Sequence, residues 1–170
     1  STFGIRQRRG PMNLRHEYIA LLARELRDEI VVCNSGGTQD ELFTAADREA
    51  NVYAPGVGLV CQVALGIALA IPDRRVIALD GDGSLLLYLG ILPVLAHERP
   101  ENFLVIVFDN GLYEAGGNRP SLAGSGTRLE ELARGAGIDP VTVQSCVEEF
   151  AADLKTALSD RGFRFFVVKI

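Results

Sequence analysis

Two polar clusters in the sequence each follow an apolar run, and their residue types suit metal and phosphate chemistry. Gly-Asp-Gly-Ser occupies positions 81–84 after the run 75–80, and Asp-Asn-Gly occupies 109–111 after the run 103–108. The Asp82 carboxylate and the Asn110 amide oxygen, with a nearby backbone carbonyl, are the hard ligands that Mg²⁺ prefers. Glycines beside Asp82 let the backbone approach an anion, and free N–H groups at the start of the following helix attract one. The clusters therefore predict a magnesium site next to a phosphate group.

Each cluster taken alone is also a common turn sequence, because Gly, Asp and Asn all favour turns. One predicted helix and one predicted strand separate the two clusters. A right-handed crossover of this kind returns the chain to a neighbouring parallel strand, and ligands bind beyond the carboxyl ends of such strands. The pairing favours a metal site over two unrelated turns.

Apolar runs alternate with amphipathic stretches along the chain. Helices are predicted over 13–28, 38–46, 59–70, 84–98, 129–136 and 147–158, and strands over 29–33, 75–80, 103–108 and 163–168. Thr38 is the predicted cap of the second helix, and the helix over 59–70, small and apolar all round, is predicted to be buried. The alternation predicts an α/β fold: a three-layer sandwich with a mostly parallel sheet flanked by helices.

Composition limits the class of protein. The 170 residues are 48% apolar and 7% aromatic, which suits a sheet buried on both faces by aliphatic side chains. The net charge of −5 argues against a nucleic-acid partner, and the basic cluster at 6–9 lies in a predicted flexible tail over 1–12. The predicted domain covers 13–170.

The cysteine content and the hydropathy of the sequence indicate in which cellular compartment the protein is expected. Cys33, Cys61 and Cys146 are too few and too scattered for a disulfide framework or a zinc site. The apolar runs are too short to span a bilayer, and no signal peptide is recognisable, so a cytoplasmic protein is expected.

The two clusters resemble the G-D-G…N-N signature of thiamine-diphosphate enzymes, and the resemblance covers about 31–138. It implies that Asp82, Asn110 and the carbonyl of Leu112 bind Mg²⁺. Asp109 stands where the family has its first Asn, which is not a ligand position. The resemblance further implies contacts with the cofactor from Gly81, Gly83, Ser84, Leu112 and Tyr113.

A second motif lies upstream, where Pro-Gly-Val-Gly at 55–58 is similar to the family's Gly-x-(large apolar)-Gly. The resemblance implies that Val57 wedges between the two rings of the cofactor and keeps it bent, with Gly56 beside it. Pro55 replaces the family's first Gly but keeps the carbonyl that this position offers to the aminopyrimidine.

A dinucleotide-binding motif over 56–61, with Asp80 as ribose ligand, is the competing interpretation and would make the chain a nucleotide-binding module. It lacks the third Gly or Ala and has only 51–54 as the preceding strand. It also leaves Asp82 and Asn110 unexplained, so the thiamine interpretation is favoured.

Two further stretches are similar to one branch of the family, the sulfopyruvate decarboxylase β subunit and the C-terminal part of phosphonopyruvate decarboxylase. They are Glu-Leu-Phe at 41–43 and Gly-Asn-Arg-Pro-Ser at 117–121. Arg119 replaces the branch's Gln and suits a carboxylate, sulfonate or phosphonate of the substrate, with Glu114 a second substrate candidate. Arg119 is equally well explained as a solvated loop residue, and for Glu114 that explanation is favoured.

The resemblance implies a thiamine-diphosphate- and Mg²⁺-dependent lyase that decarboxylates a 2-oxo acid, with the product released as an aldehyde or passed to an acceptor. The family's catalytic Glu belongs to a separate pyrimidine-binding domain, for which 170 residues leave no room. We therefore expect a partner subunit that carries this Glu, in a hetero-oligomer with two copies of each chain. A carboligase or acyl-transfer subunit, similar to acetolactate synthase or transketolase, is the alternative.

Overall fold

The computed structural model describes residues 14–170, so the predicted tail over 1–12, its basic cluster at 6–9 and residue 13 lie outside the described residues. Six strands form one sheet in the order β2-β1-β3-β4-β8-β7, and every neighbouring pair is parallel. Their bounds are β1 Ile30–Cys33, β2 Asn51–Tyr53, β3 Val76–Gly81, β4 Phe103–Asp109, β7 Val141–Gln144 and β8 Arg164–Lys169. Two short strands, β5 Leu112–Tyr113 and β6 Arg119–Pro120, pair antiparallel outside this sheet.

Helices cover both faces of the sheet. Their bounds are α1 Arg15–Glu25, α2 Gly37–Ala46, α3 Val60–Ala70, α4 Asp82–Leu87, α5 Ile91–Glu98, α6 Leu129–Gly135 and α7 Val147–Ser159. Side chains of α3, α4, α5 and α6 pack on one face of the sheet, and side chains of α1, α2 and α7 pack on the other. The predicted three-layer α/β sandwich is confirmed.

The centre of the sheet explains the apolar runs of the sequence. Alternate residues of β4 face opposite helical layers, so that Val105 packs with α3 and Ile106 with α1 and α7. A strand covered on both faces has no solvent side and needs no polar alternation. Because β3 pairs with β4, the two polar clusters follow neighbouring strands, as the crossover argument requires.

The helix predicted over 84–98 is two helices. α4 begins at Asp82, so Gly83 and Ser84 lie in its first turn, and the chain leaves helical geometry at Tyr88. α5 then starts at Ile91 after Gly90. The break has a physical reason in Pro93: inside a continuous helix its ring would clash and its missing N–H would cost a hydrogen bond, whereas the first turn of a new helix needs no N–H there.

Two smaller predictions were also wrong, and one strand of the main sheet was not predicted. α2 begins at Gly37 after Gly36, whose φ of +89° turns the chain, so Thr38 lies buried in the first turn and is not the cap. α3 is buried on one face only, and Leu69 on the other face is exposed. β7 was missed, because this short edge strand, Val-Thr-Val-Gln, buries only Val141 and Gln144 and gives little hydrophobic signal.

Among residues 14–170, the structure contains no helix of the length and apolar character needed to cross a membrane.

Asn102 joins the end of α3 to the start of β4. It is buried, and its side-chain amide donates to the carbonyls of Ala68, Ile71 and Arg74 at 3.0, 3.0 and 2.9 Å. These carbonyls lie at and after the end of α3, where no intrahelical donor is available.

We expect Asn102→Ala to lower the free energy of unfolding by about 1–3 kcal/mol, because buried carbonyls would lose their donor. Urea denaturation measures the change. Glu101→Ala is the neighbouring control, since the Glu101 side chain is 75% exposed and its ion pair with Arg161 spans 3.8 Å. Equal losses from the two variants would contradict the role given to Asn102.

Candidate cofactor site

The carboxyl ends of β1, β3 and β4 open onto one cavity of about 470 Å³. Parallel strands bring their carboxyl ends to one edge, so residues far apart in sequence meet there. The predicted residues that line the cavity are Val57, Gly81, Asp82, Gly83, Ser84, Asn110, Leu112, Tyr113, Glu114 and Arg119. Pro55 and Gly56 precede Val57 in the same loop and are not among the lining residues.

Asp82 is the buried carboxylate of this cavity. Its residue is only 2% exposed, and the Ser121 hydroxyl donates a hydrogen bond to its Oδ2. Burial raises the pKa of Asp82 above its ordinary value, while the bonds from Ser121 and from the Gly83 N–H oppose the rise. A bound cation would favour the charged form, so the environment of this carboxylate fits a metal ligand.

Asn110 lies beside it, at the end of β4. Its Oδ1 accepts the Leu112 N–H at 2.8 Å, and its Nδ2 donates to Glu114 Oε1 at 2.7 Å. Asp109, the residue before it, pairs instead with Lys169 Nζ at 2.6 Å, and that amine also contacts Glu130. The Asp at this position thus has an ion-pair partner of its own outside the predicted ligand set.

Asp80 and Ser84 connect the turn at 81–84 to the loop that carries Val57. Ser84 Oγ accepts the Gly58 N–H at 2.9 Å, and Asp80 is held by Ser84, by the Gly81 N–H and by Cys61. Burial raises the pKa of Asp80 to about 6 against these hydrogen bonds. Val57 itself is half-exposed at the edge of the cavity.

Gly83 and Tyr113 pack directly against each other. A Cβ on Gly83 would lie 2.5 Å from Tyr113 Cδ1, far inside van der Waals contact. Glycine is therefore needed here for close approach, and the 110–121 loop lies against the first turn of α4.

A third strand end lines the cavity and was missed as a site by sequence reasoning. Asn34, Ser35, Gly37 and Thr38 follow β1, which is the neighbour of β3. The signal was present, because these residues form another polar, glycine-rich cluster after an apolar run. Asn34 Oδ1 is buried and has no hydrogen-bond partner among the described residues. An unpaired acceptor of this kind fits a cavity that receives a polar ligand.

Arg15 of α1 also lines the cavity, and no sequence pattern pointed to it. Its guanidinium pairs with both oxygens of Glu41 at 3.0 Å and with Glu114 Oε2 at 2.8 Å. Burial lowers the pKa of Arg15, but the bonds and charges of Glu41 and Glu114 outweigh it and raise that pKa overall. Arg119, in β6, is exposed at the cavity edge. The substrate roles of Glu114 and Arg119 stay predictions.

A three-layer parallel fold with a polar cavity at its strand ends is typical of cofactor-binding domains. The family described as "Thiamine pyrophosphate enzyme, C-terminal TPP binding domain" matches residues 44–168. The chain belongs to this family.

Curated relatives narrow the class to decarboxylases. The β subunit of sulfopyruvate decarboxylase from Methanocaldococcus jannaschii is 39% identical over 142 residues, covering 83% of this chain and 74% of that protein. The β subunit from Methanococcus maripaludis is 38% identical, covering 91% and 83%. Phosphonopyruvate decarboxylase from Streptomyces viridochromogenes is 36% identical over 84% of this chain, which spans 36% of that longer protein.

Solved structures agree on the fold. A thiamin diphosphate-dependent enzyme from Mycobacterium smegmatis superposes with a TM-score of 0.74 at 25% identity, covering 91% of this chain and 31% of that one. The thiamine diphosphate-dependent 4-hydroxybenzoylformate decarboxylase of Rhodococcus jostii gives 0.73 at 25% identity, covering 91% and 32%. The predicted family, cofactor class and decarboxylase branch are confirmed, and the roles of individual site residues stay predictions.

We expect Gly83→Ala to weaken cofactor binding while the chain stays folded, because the added methyl displaces the Tyr113 ring and the loop that carries it. The rise in thermal midpoint on adding Mg²⁺ and thiamine diphosphate measures the effect. The matched control is Gly66→Ala in α3, where a Cβ meets no atom within 4 Å. This control should gain about 0.5–1 kcal/mol of stability from the helix preference of alanine and keep the full cofactor response. An undiminished response in Gly83→Ala would contradict the close packing.

Proposed function

We propose that this chain is the diphosphate- and Mg²⁺-binding subunit of a split decarboxylase that acts on sulfopyruvate-like or phosphonopyruvate-like 2-oxo acids. The observation that carries the proposal is the cavity, which is lined by both Asp82 and Asn110 after neighbouring strands, in a chain similar to two β subunits. The alignments with these two β subunits cover 74% and 83% of their lengths.

In this proposal three oxygen atoms of the chain bind Mg²⁺. Asp82, Asn110 and the Leu112 carbonyl would be the three protein ligands, and they would supply hard oxygens of the kind Mg²⁺ takes together with phosphates and water. Gly81, Gly83 and Ser84 stand at the diphosphate, next to the first N–H groups of α4. Bound thiamine diphosphate supplies the electron sink that lets a 2-oxo acid lose carbon dioxide.

Residues of the chain shape the rest of the cavity. Val57, which lines the cavity, would contact the cofactor between its two rings, and the carbonyl of Pro55, two residues earlier with Gly56 between them, would face the aminopyrimidine. The loop carrying Val57 is held by the Gly58 N–H bond to Ser84. Arg119, exposed at the cavity edge, receives the anionic tail of the substrate, since a guanidinium forms paired hydrogen bonds with carboxylate, sulfonate or phosphonate.

The proposal requires a partner, as the name "subunit beta" implies for the two relatives. The partner is a pyrimidine-binding subunit that contributes the catalytic Glu, and the complex contains two copies of each chain. Purification of the tagged chain from its native host should recover one partner of similar size. Turnover of a 2-oxo acid by this chain alone would contradict the split active site.

Removal of a metal ligand is the direct test of the site. We expect Asp82→Asn and Asn110→Ala to fold normally but to lose Mg²⁺-dependent retention of thiamine diphosphate by the complex. Retention is measured by gel filtration in Mg²⁺ followed by cofactor release and quantification. Asp153→Ala on α7 is the control, because its carboxylate contacts Gln144 outside the cavity. Unchanged retention in Asp82→Asn would refute the assignment of the metal site.

Product analysis separates decarboxylation from carboligation. The complex is given sulfopyruvate, phosphonopyruvate or pyruvate, with and without an acceptor aldehyde. We expect carbon dioxide and the corresponding aldehyde without an acceptor, with one of the two anionic-tail substrates preferred over pyruvate. Acyloin formation as the main reaction, dependent on the acceptor, would favour the carboligase alternative.

A further inference from the structure

We propose that Glu114 is a positioning residue: it fixes the orientation of the Asn110 amide, and Arg15 holds Glu114 in place. The inference rests on the proposed function, because the orientation of Asn110 matters for catalysis only if its oxygen is a metal ligand. It gives Glu114 a role different from contact with the substrate.

The hydrogen bonds of Asn110 determine the orientation of its side-chain amide, that is, the positions of its oxygen and its nitrogen. Glu114 Oε1 is a carboxylate oxygen and only accepts, whereas the Leu112 N–H only donates. A flipped amide would place oxygen against the Glu114 carboxylate and nitrogen against an N–H donor. Both contacts would then be repulsive, so the two partners together allow one orientation. In that orientation Oδ1 keeps a second lone pair for a cation.

Glu114 in turn is held by a residue from the other end of the chain. Arg15 Nη1 donates to Glu114 Oε2 at 2.8 Å, while its Nε and Nη2 bind both oxygens of Glu41 on α2. The Arg15 side chain is 11% exposed, so the guanidinium is fixed between two carboxylates. Both oxygens of Glu114 are therefore engaged, one by Asn110 and one by Arg15.

Gly37 leaves room for this arrangement at the start of α2. A Cβ at this position would collide with Arg15 Nη2 and would lie 2.8 Å from Glu114 Oε2. The 110–121 loop is thus joined to α1 and α2 across an opening that only glycine provides. Through Arg15 and Glu114, the helices therefore hold Asn110, a predicted metal ligand that lies in a loop.

The first test reads the orientation of Asn110 without any ligand. The ¹⁵N-labelled full chain is studied by NMR, and the two Nδ2 protons of Asn110 are assigned by their loss in Asn110→Asp. We expect one of them to be shifted downfield and protected from exchange in the wild type. Both should move to values typical of a solvated amide in Glu114→Ala. Unchanged Asn110 signals in Glu114→Ala would overturn the inference.

The second test measures the affinity of the complex for Mg²⁺. The Mg²⁺ concentration for half-maximal binding of thiamine diphosphate to the complex is measured by calorimetry. Loss of an outer partner of a metal ligand weakens metal binding about 10- to 100-fold, and we expect this range for Glu114→Ala. Glu114→Gln keeps one acceptor oxygen where Glu114 has two, so its Mg²⁺ requirement should lie between those of wild type and Glu114→Ala. A Mg²⁺ requirement of Glu114→Ala equal to that of wild type would overturn the positioning role.

Two controls make the second test specific. Glu131→Ala removes another partly exposed carboxylate that pairs with arginines, Arg128 and Arg134 on and beside α6, and should leave the Mg²⁺ requirement unchanged. Arg15→Met should raise the Mg²⁺ requirement in the wild type but add nothing in Glu114→Ala, because Arg15 acts through Glu114. Fully additive effects of the two changes would overturn the role given to Arg15.

The two tests also separate this inference from the proposed function. A wild-type complex that binds no thiamine diphosphate at any Mg²⁺ concentration would refute the proposed function, while the NMR result would still decide whether Glu114 orients Asn110. Conversely, normal binding with an Mg²⁺ requirement insensitive to Glu114→Ala would refute this inference alone.

Discussion

The Asp82 carboxylate is buried directly after β3, and hydrogen bonds from the following turn and from the 110–121 loop partly compensate for its charge. Taking a carboxylate out of water is costly unless hydrogen bonds or a cation replace the lost hydration. The hydroxyl of Ser121 and a backbone N–H supply part of that compensation, while burial raises the pKa of Asp82. A bound metal ion would supply the remaining compensation for this buried charge. The loop that brings Ser121 to Asp82 also carries Asn110 and Leu112, so one requirement places all three predicted ligands.

Rigidity at this site comes from contacts between segments that are distant in sequence. Ser84 ties the turn after β3 to the loop of Val57, and Arg15 ties the loop after β4 to the first helix. Behind these loops, β3 and β4 are apolar and buried on both faces, so the strand ends have little freedom to move. A cavity built in this way has many of its polar side chains held by hydrogen bonds before any ligand binds, which lowers the entropic cost of binding.

The sequence departs from the family signature at one position, and the structure gives that residue a local function. Asp109 stands in place of Asn, and its carboxylate pairs with Lys169 at the end of β8, where Glu130 of α6 also contacts the amine. The negative charge of Asp109 is therefore compensated by the Lys169 amine at the carboxyl end of the neighbouring strand β8. The neighbouring position, Asn110, is left neutral and engaged with Leu112 and Glu114.

Much of the fold could be read from the sequence, since buried parallel strands give continuous apolar runs and their polar ends mark the ligand edge. That reasoning identified the α/β sandwich, the crossover between β3 and β4 and, through the family resemblance, the cofactor class. It did not find the break at Tyr88, because an apolar pattern continues across the interruption and only Pro93 hinted at it. Nor did it find β7, whose four residues have little pattern of their own.

The sequence by itself determined which chemical groups are available, because the types and spacing of residues at strand ends are local properties. Tertiary structure alone decided which of those groups touch. Arg15 and Glu114 are 99 positions apart, and Ser121 and Asp82 are 39 apart. No periodicity encodes such contacts, because they arise only when the sheet order sets β1, β3 and β4 side by side and the loops fold over their ends.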